Sequence, residues 1–143
     1  MTQILVMSQK KAEDFIPETN KSYVCISITD PEGGFAYLKD KYYLNIFRLQ
    51  FHDIDKNIME SLGNFYFGMN EEQVKDIKIF LNKYWDKIDY ILIHCHAGIS
   101  RSAGIAAAIE KFYSDDDSKY FGGLRYVPNM RCYRLLLEEL NNG

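Results

Sequence analysis

The sequence predicts an α/β fold: a central, mostly parallel sheet of four to five strands flanked by helices on both faces. Two observations predict it. Short apolar, β-branched runs alternate along the chain with segments of three-four apolar spacing, the order that yields parallel strands joined by crossover helices. One run, residues 90–93 (YILI), is continuously apolar, as a strand covered on both faces must be.

Residues 4–7 make the first strand, closed by Ser8 as N-cap of a helix over 10–16. Residues 23–28 (YVCISI) are β-branched and aromatic and form the second strand. Asp30-Pro31-Glu32-Gly33-Gly34 then turns the chain. Residues 42–51 (YYLNIFRLQF) alternate and predict a third strand, which runs into His52-Asp53-Ile54-Asp55. Asn70 and Gln73 have capping-box spacing, and Val74, Ile77, Leu81, Tyr84 and Ile88 continue as a helical stripe. After the buried strand, residues 102–113 form a helix that is small and apolar nearly all round, hence central. A last helix begins near Pro128, with Met130, Tyr133, Leu137 and Leu140 on one face.

At 143 residues, 47% hydrophobic and 15% aromatic, the chain reads as a single domain over 1–143 with a substantial core, which excludes disorder as its main character. A net charge of -3 from 17 basic and 20 acidic residues, with no dominant basic block, gives nucleic-acid binding no support. The longest apolar stretch, residues 103–109, is far short of the roughly 20 needed to span a bilayer. The N-terminal residues lack the basic-then-apolar order of a secretory signal. Cys25, Cys95 and Cys132 are too few for a disulfide framework. The expectation is a cytoplasmic monomer with no membrane association.

The chemistry gathers in Ile93-His94-Cys95-His96-Ala97-Gly98-Ile99-Ser100-Arg101-Ser102. A loop that leaves the carboxyl end of a strand and enters a helix points its amides at one spot, where the helix adds partial positive charge. Gly98 lets that loop curl. Arg101 closes it with a planar guanidinium able to bind two oxyanion oxygens at once. Cys95 stands at the base, in surroundings that favour the nucleophilic thiolate. A metal cluster of His94, Cys95 and His96 is disfavoured, because consecutive strand residues face opposite ways and zinc sites prefer spaced pairs.

The string HCHAGISRS resembles the His-Cys-five-residues-Arg-Ser/Thr motif of the protein tyrosine phosphatase superfamily, in the form common to compact dual-specificity-like phosphatases. The resemblance covers roughly residues 42–140 in element order and 93–102 at the level of the motif. It implies that Cys95 forms a phosphocysteine intermediate and that Arg101 binds substrate and stabilises the transition state. It implies that the amides of His96, Ala97, Gly98, Ile99, Ser100 and Arg101 hold the phosphate oxygens. Ser102 would hydrogen-bond the Cys95 sulfur, and His94 would brace the loop from behind. No metal or organic cofactor is implied. The family's general acid would be Asp53, with Asp55 as the alternative. Both lie farther ahead of Cys95 than in many compact members, because residues 56–68 look like an insertion.

The expected activity is hydrolysis of phosphotyrosine, and of phosphoserine or phosphothreonine, on a phosphorylated protein or peptide. The alternatives are a phosphatase of the same fold acting on phosphoinositides or RNA 5′-phosphates, and a phosphate-binding module without turnover. Lipid-directed relatives usually carry Lys in the loop, and none occurs from His96 to Ser100. Modules without turnover normally lack the Cys or the Arg, and both are present. His52 reads as a surface or hydrogen-bonded histidine, with a role near the acid loop as the alternative. Cys25 and Cys132 read as buried small hydrophobes. Phe35, Tyr37, Tyr66 and Phe67 are candidate walls of a phosphotyrosine cleft.

Overall fold

The computed structural model describes residues 1–54 and 66–143. Four strands, β1 (Gln3–Ser8), β2 (Tyr23–Thr29), β3 (Asn45–Gln50) and β4 (Tyr90–Cys95), form one sheet in the order β1-β4-β2-β3. Every neighbouring pair is parallel, and β1 and β2 both register against β4, so that Ser8 lies opposite Cys95 and Ser27 opposite His94. Each residue of β2 is buried, as are Ile91 through Cys95 of β4. Their runs of Val and Ile therefore follow from coverage on both faces.

Three helices cover one face: α2 (Glu71–Tyr84), α3 (Arg101–Ser114) and α5 (Met130–Asn141). They enclose the main core, which includes Ile26, Ile28, Ile77, Leu81, Ile93, Ile105 and Leu136. α3 is central as predicted, with Arg101 through Ile109 all buried. A short helix, α4 (Ser118–Phe121), follows it. The opposite face has less cover. There α1 (Gln9–Asp14) and an irregular segment bring Ala12, Ala36 and Leu38 over Cys25 and Leu92. The expected helices on both faces are present, three against one.

Several boundaries differ from the sequence prediction, each for a local reason. α1 ends at Asp14 rather than at residue 16, because Pro17 pushes Ile16 out of helical geometry. β3 begins at Asn45 rather than at residue 42, because Asp40–Tyr42 closes a 3₁₀ turn with Tyr43 N–H on Asp40 O. α2 starts on the predicted Asn70/Gln73 capping box. It stops at Tyr84, before Ile88, because the chain turns through Asp86 at a φ of 62°. The fully buried residues of α5 are Cys132, Leu136 and the predicted Leu140; Tyr133 and Leu137 are half-buried and pack against the core, and Met130 is half-buried. Gly104 on α3 lets the start of α5 approach closely: a Cβ there would stand 2.5 Å from Asn129 O and 3.1 Å from Cys132 Cβ. Cys25 and Cys132 are buried as predicted, and burial pushes both thiols far above the ordinary range. Among the described residues no helix is long and apolar enough to cross a membrane.

Candidate active site

The loop between β4 and α3 is held from outside by its carbonyls. His96 O accepts from Gln9 N–H at 3.1 Å, and Ile99 O accepts from Val127 N–H at 3.1 Å. Ser100 O accepts from Gly104 N–H at 2.8 Å and Asn129 N–H at 2.9 Å. With these three carbonyls held by neighbours, Gly98 N–H points inward at Cys95 Sγ from 3.3 Å. Gly98 achieves this at a φ of 72°, and a Cβ on it would lie 2.5 Å from Ser8 N. Only glycine satisfies both demands. The Cys95 sulfur is buried at the floor of the loop, 3.1 Å from Ser102 Oγ on the first turn of α3.

His94 is fully buried behind this floor. Its Nδ1 lies 3.2 Å from Cys95 O, which can only accept, so the Nδ1 proton sits there. Its Nε2 lies 2.6 Å from Ser27 Oγ and accepts from that hydroxyl. Desolvation lowers the His94 pKa below its ordinary value, which keeps the ring neutral in this arrangement. A neutral histidine thus joins β2, β4 and the cysteine carbonyl.

Arg101 is 4% exposed. Its Nη1 donates to Asp30 Oδ1 at 2.8 Å and to Phe51 O at 2.7 Å. These acceptors lie at the carboxyl ends of β2 and β3, so the guanidinium is oriented by two strands other than its own. Its Nε is buried with no protein partner among the described residues. A buried guanidinium N–H without an acceptor is costly, and it suits an anion.

Asp53 reaches the loop from the far side of the sheet. Its Oδ1 accepts from Ser100 Oγ at 2.8 Å and from Asn129 Nδ2 at 2.8 Å. Asn129 is buried, caps α5 by accepting Cys132 N–H, and also donates to Ile54 O. One amide side chain therefore fastens the Asp53 segment to the last helix. Asp55 lies outside the described residues. His52, next to Asp53, is buried and fixed at both nitrogens: Phe67 N–H donates to Nδ1 at 3.0 Å, and Nε2 lies 2.6 and 2.7 Å from the two Glu32 oxygens. The Tyr66 and Phe67 rings pack edge-on against it and remain about half exposed.

The structure thus seats Cys95 against Ser102 and Gly98, orients Arg101 at the ends of β2 and β3, and ties Asp53 to Ser100 of the same loop, with His94 behind Cys95. Ile99 of the loop and Val127, which bonds it, are exposed. Of the four aromatic candidates, Tyr66 and Phe67 flank the Asp53 segment, whereas Phe35 lies over Arg48 and Tyr37 N–H bonds Glu13 on α1. Sequence reasoning missed Asp30, Glu32, Asn129 and Ser27. Asp30 and Glu32 read only as turn residues, although the carboxyl end of a parallel strand is where ligand-facing groups gather. Asn129 carries an N-cap signal that says nothing of Asp53.

No protein-family model matches the sequence, and no curated protein sequence matches it significantly. Solved structures do match in fold. The human tyrosine phosphatase-like serine/threonine/tyrosine-interacting protein superposes with a TM-score of 0.67 at 17% identity, covering 97% of this chain and 91% of that one. The Cydia pomonella PTP-2 phosphatase gives 0.59 at 18% identity, over 96% and 86% of the two chains. PTPMT1, solved in complex with PI(5)P, gives 0.55 at 13% identity, over 98% and 91%. The fold is that of the protein tyrosine and dual-specificity phosphatases.

Proposed function

We propose that this chain is a cysteine-dependent phosphatase that hydrolyses phosphotyrosine, and also phosphoserine or phosphothreonine, on proteins through a phosphocysteine intermediate. The observation that carries the reading is the Cys95 sulfur, buried at the floor of a loop with inward Gly98 N–H and oriented Arg101. The Cys95 thiolate attacks phosphorus while Arg101 and the amides of His96 to Arg101 hold the phosphoryl oxygens. Asp53 protonates the leaving oxygen through Oδ2, which has no partner among the described residues, while Oδ1 is held by Ser100 and Asn129. In the second step the Asp53 carboxylate takes a proton from water, which attacks phosphorus and expels the sulfur. Ser102 donates to that departing sulfur across the 3.1 Å contact. Asp53 rather than Asp55 is the acid in this reading, because it is tied to Ser100 of the loop.

An apolar rim of Ile99, Val127, Tyr66 and Phe67, with no Lys from His96 to Ser100, favours a phosphorylated protein over a lipid headgroup. A thiolate nucleophile suits a reducing, cytoplasmic setting, and the enzyme works there as a monomer without a cofactor. Cys95→Ser tests the mechanism: p-nitrophenyl phosphate turnover should fall by at least about 10³-fold while phosphopeptide binding persists. Turnover surviving in that variant sinks the covalent mechanism. A panel of phosphopeptides, phosphatidylinositol phosphates and 5′-phosphorylated RNA should rank the peptides first by kcat/KM. A lipid or RNA ranked first overturns the substrate class alone.

A further inference from the structure

The outer edge of β1 opens onto a groove of about 570 Å³. Its lining comes from both faces of the strand, which is possible only at an edge. Met7 and Phe15 pack against the smaller core, Val6 and Tyr126 against the main one, and Lys11 and Arg125 line the groove with them. Gln3 N–H bonds Asp89 O and Gln9 N–H bonds His96 O. Along a parallel pair the bonding residues alternate, so odd-numbered residues of β1 face β4 and the N–H and C=O of Ile4 and Val6 face the groove. Among the described residues no further strand pairs with that edge.

Two properties say what fits. The first is charge. Neither Lys11 nor Arg125 has an ion pair among the described residues, and the acidic lining residue, Asp14, already lies 3.9 Å from Lys10. Lys11 belongs to α1, which packs on the smaller core, and Arg125 adjoins Tyr126, which packs on the main core, so the two cations are carried by opposite walls, as alternate side chains of an added strand would require. The second is continuity with the cleft. Ser8, at the end of β1, lies opposite Cys95 and against Gly98, and Val127, next to Tyr126, bonds Ile99. Both walls of the groove therefore end at the loop that holds Cys95.

We propose that the β1 edge takes up an extended, acidic segment of the substrate protein adjoining its phosphorylated residue, which adds as a fifth strand. Its main chain pairs with Ile4 and Val6, and its acidic side chains alternate between Lys11 and Arg125. This rests on the protein-substrate reading above.

The experiment measures binding on the Cys95→Ser protein, by fluorescence anisotropy, so that it does not depend on turnover. The probes are one phosphotyrosine peptide with acidic flanks, the same peptide with basic flanks, and the acidic peptide with N-methylated flank amides. The acidic peptide should bind tightest. N-methylation should weaken it about threefold to tenfold, as expected for lost main-chain hydrogen bonds. Lys11→Glu and Arg125→Glu should each weaken it about two- to fivefold. In the otherwise wild-type enzyme, both substitutions should leave p-nitrophenyl phosphate turnover unchanged, which shows that fold and loop are intact. Equal affinity for acidic and basic flanks, or indifference to N-methylation, overturns the proposal. So does a dimer in sedimentation that Arg125→Glu dissociates, since the edge then serves a second copy of the chain. Failure of p-nitrophenyl phosphate turnover in the unsubstituted enzyme counts against the phosphatase reading, not against the groove.

Discussion

In the phosphatase reading proposed above, the groups assigned to the phosphate come from one unbroken segment, residues 94–102, leaving β4 and entering α3. On the proton side, Asp53 follows β3 and is held by Ser100 from the loop and Asn129 from the start of α5. Its neighbour His52 is fixed by Glu32 and by Phe67. The first side is shaped by backbone: outward carbonyls, one glycine at positive φ and a strand-to-helix junction. The second is shaped by side-chain hydrogen bonds between segments far apart in the chain. A backbone cradle is hard to deform, whereas a single lost side-chain donor can shift a carboxylate. Arg101 bridges the two, being rooted in the cradle and oriented by Asp30 and Phe51 O.

The difference can be broken most severely at that bridge. Arg101→Lys keeps the charge but cannot reproduce the planar contact with phosphate, so kcat should fall about 10³-fold for every substrate, whatever its leaving group. Steady-state kinetics on p-nitrophenyl phosphate and a phosphoserine peptide checks this, and near-normal turnover would reduce Arg101 to a structural residue. Asp53→Asn should separate the two sides. Alkoxide leaving groups need the proton, so phosphoserine peptide turnover should drop about 10²-fold or more, while p-nitrophenyl phosphate, with its weakly basic leaving group, loses far less. A loss of equal size on both substrates contradicts the assignment of Asp53.

Asn129→Asp sharpens the comparison further. It keeps an acceptor for Cys132 N–H but removes the donor to Asp53 and Ile54 O. Phosphoserine peptide turnover should decline about threefold to tenfold, with p-nitrophenyl phosphate turnover nearly unchanged and the urea midpoint lowered, because the new carboxylate is buried against that of Asp53. If both substrates slow together, Asn129 serves the cradle instead. The smallest effect belongs to His94. Its folded pKa lies below the ordinary 6.5, mainly through desolvation. The unfolded chain therefore binds a proton first as pH falls, so the stability His94 contributes is present above about pH 6.5 and is lost as pH drops through the folded value. Urea midpoints measured down to about pH 5 should decline less steeply in His94→Gln than in the wild type. Parallel curves would mean that His94 does not titrate on unfolding.

Every residue assigned to the phosphate side was legible in the sequence, and the physical reason is locality. A strand of YILI followed by HCHAGISRS and a helix of small apolar residues leaves few geometries, because strand, glycine turn and helix N-terminus each restrict the backbone independently. The parallel sheet, the α2 capping box and the Ser8 cap were legible for the same reason. The tertiary structure alone decided what approaches from elsewhere. The close approach of α5 depended on Gly104 of a different helix, and the grip on Arg101 depended on Asp30, seventy-one positions away. The hold of Asn129 on Asp53 spans seventy-six positions. Such contacts arise from the order in which four parallel strands pack, and strand order leaves no local periodicity to read. The sequence by itself determined the cradle and the cysteine at its floor, and only the packed sheet decided which carboxylates stand beside it.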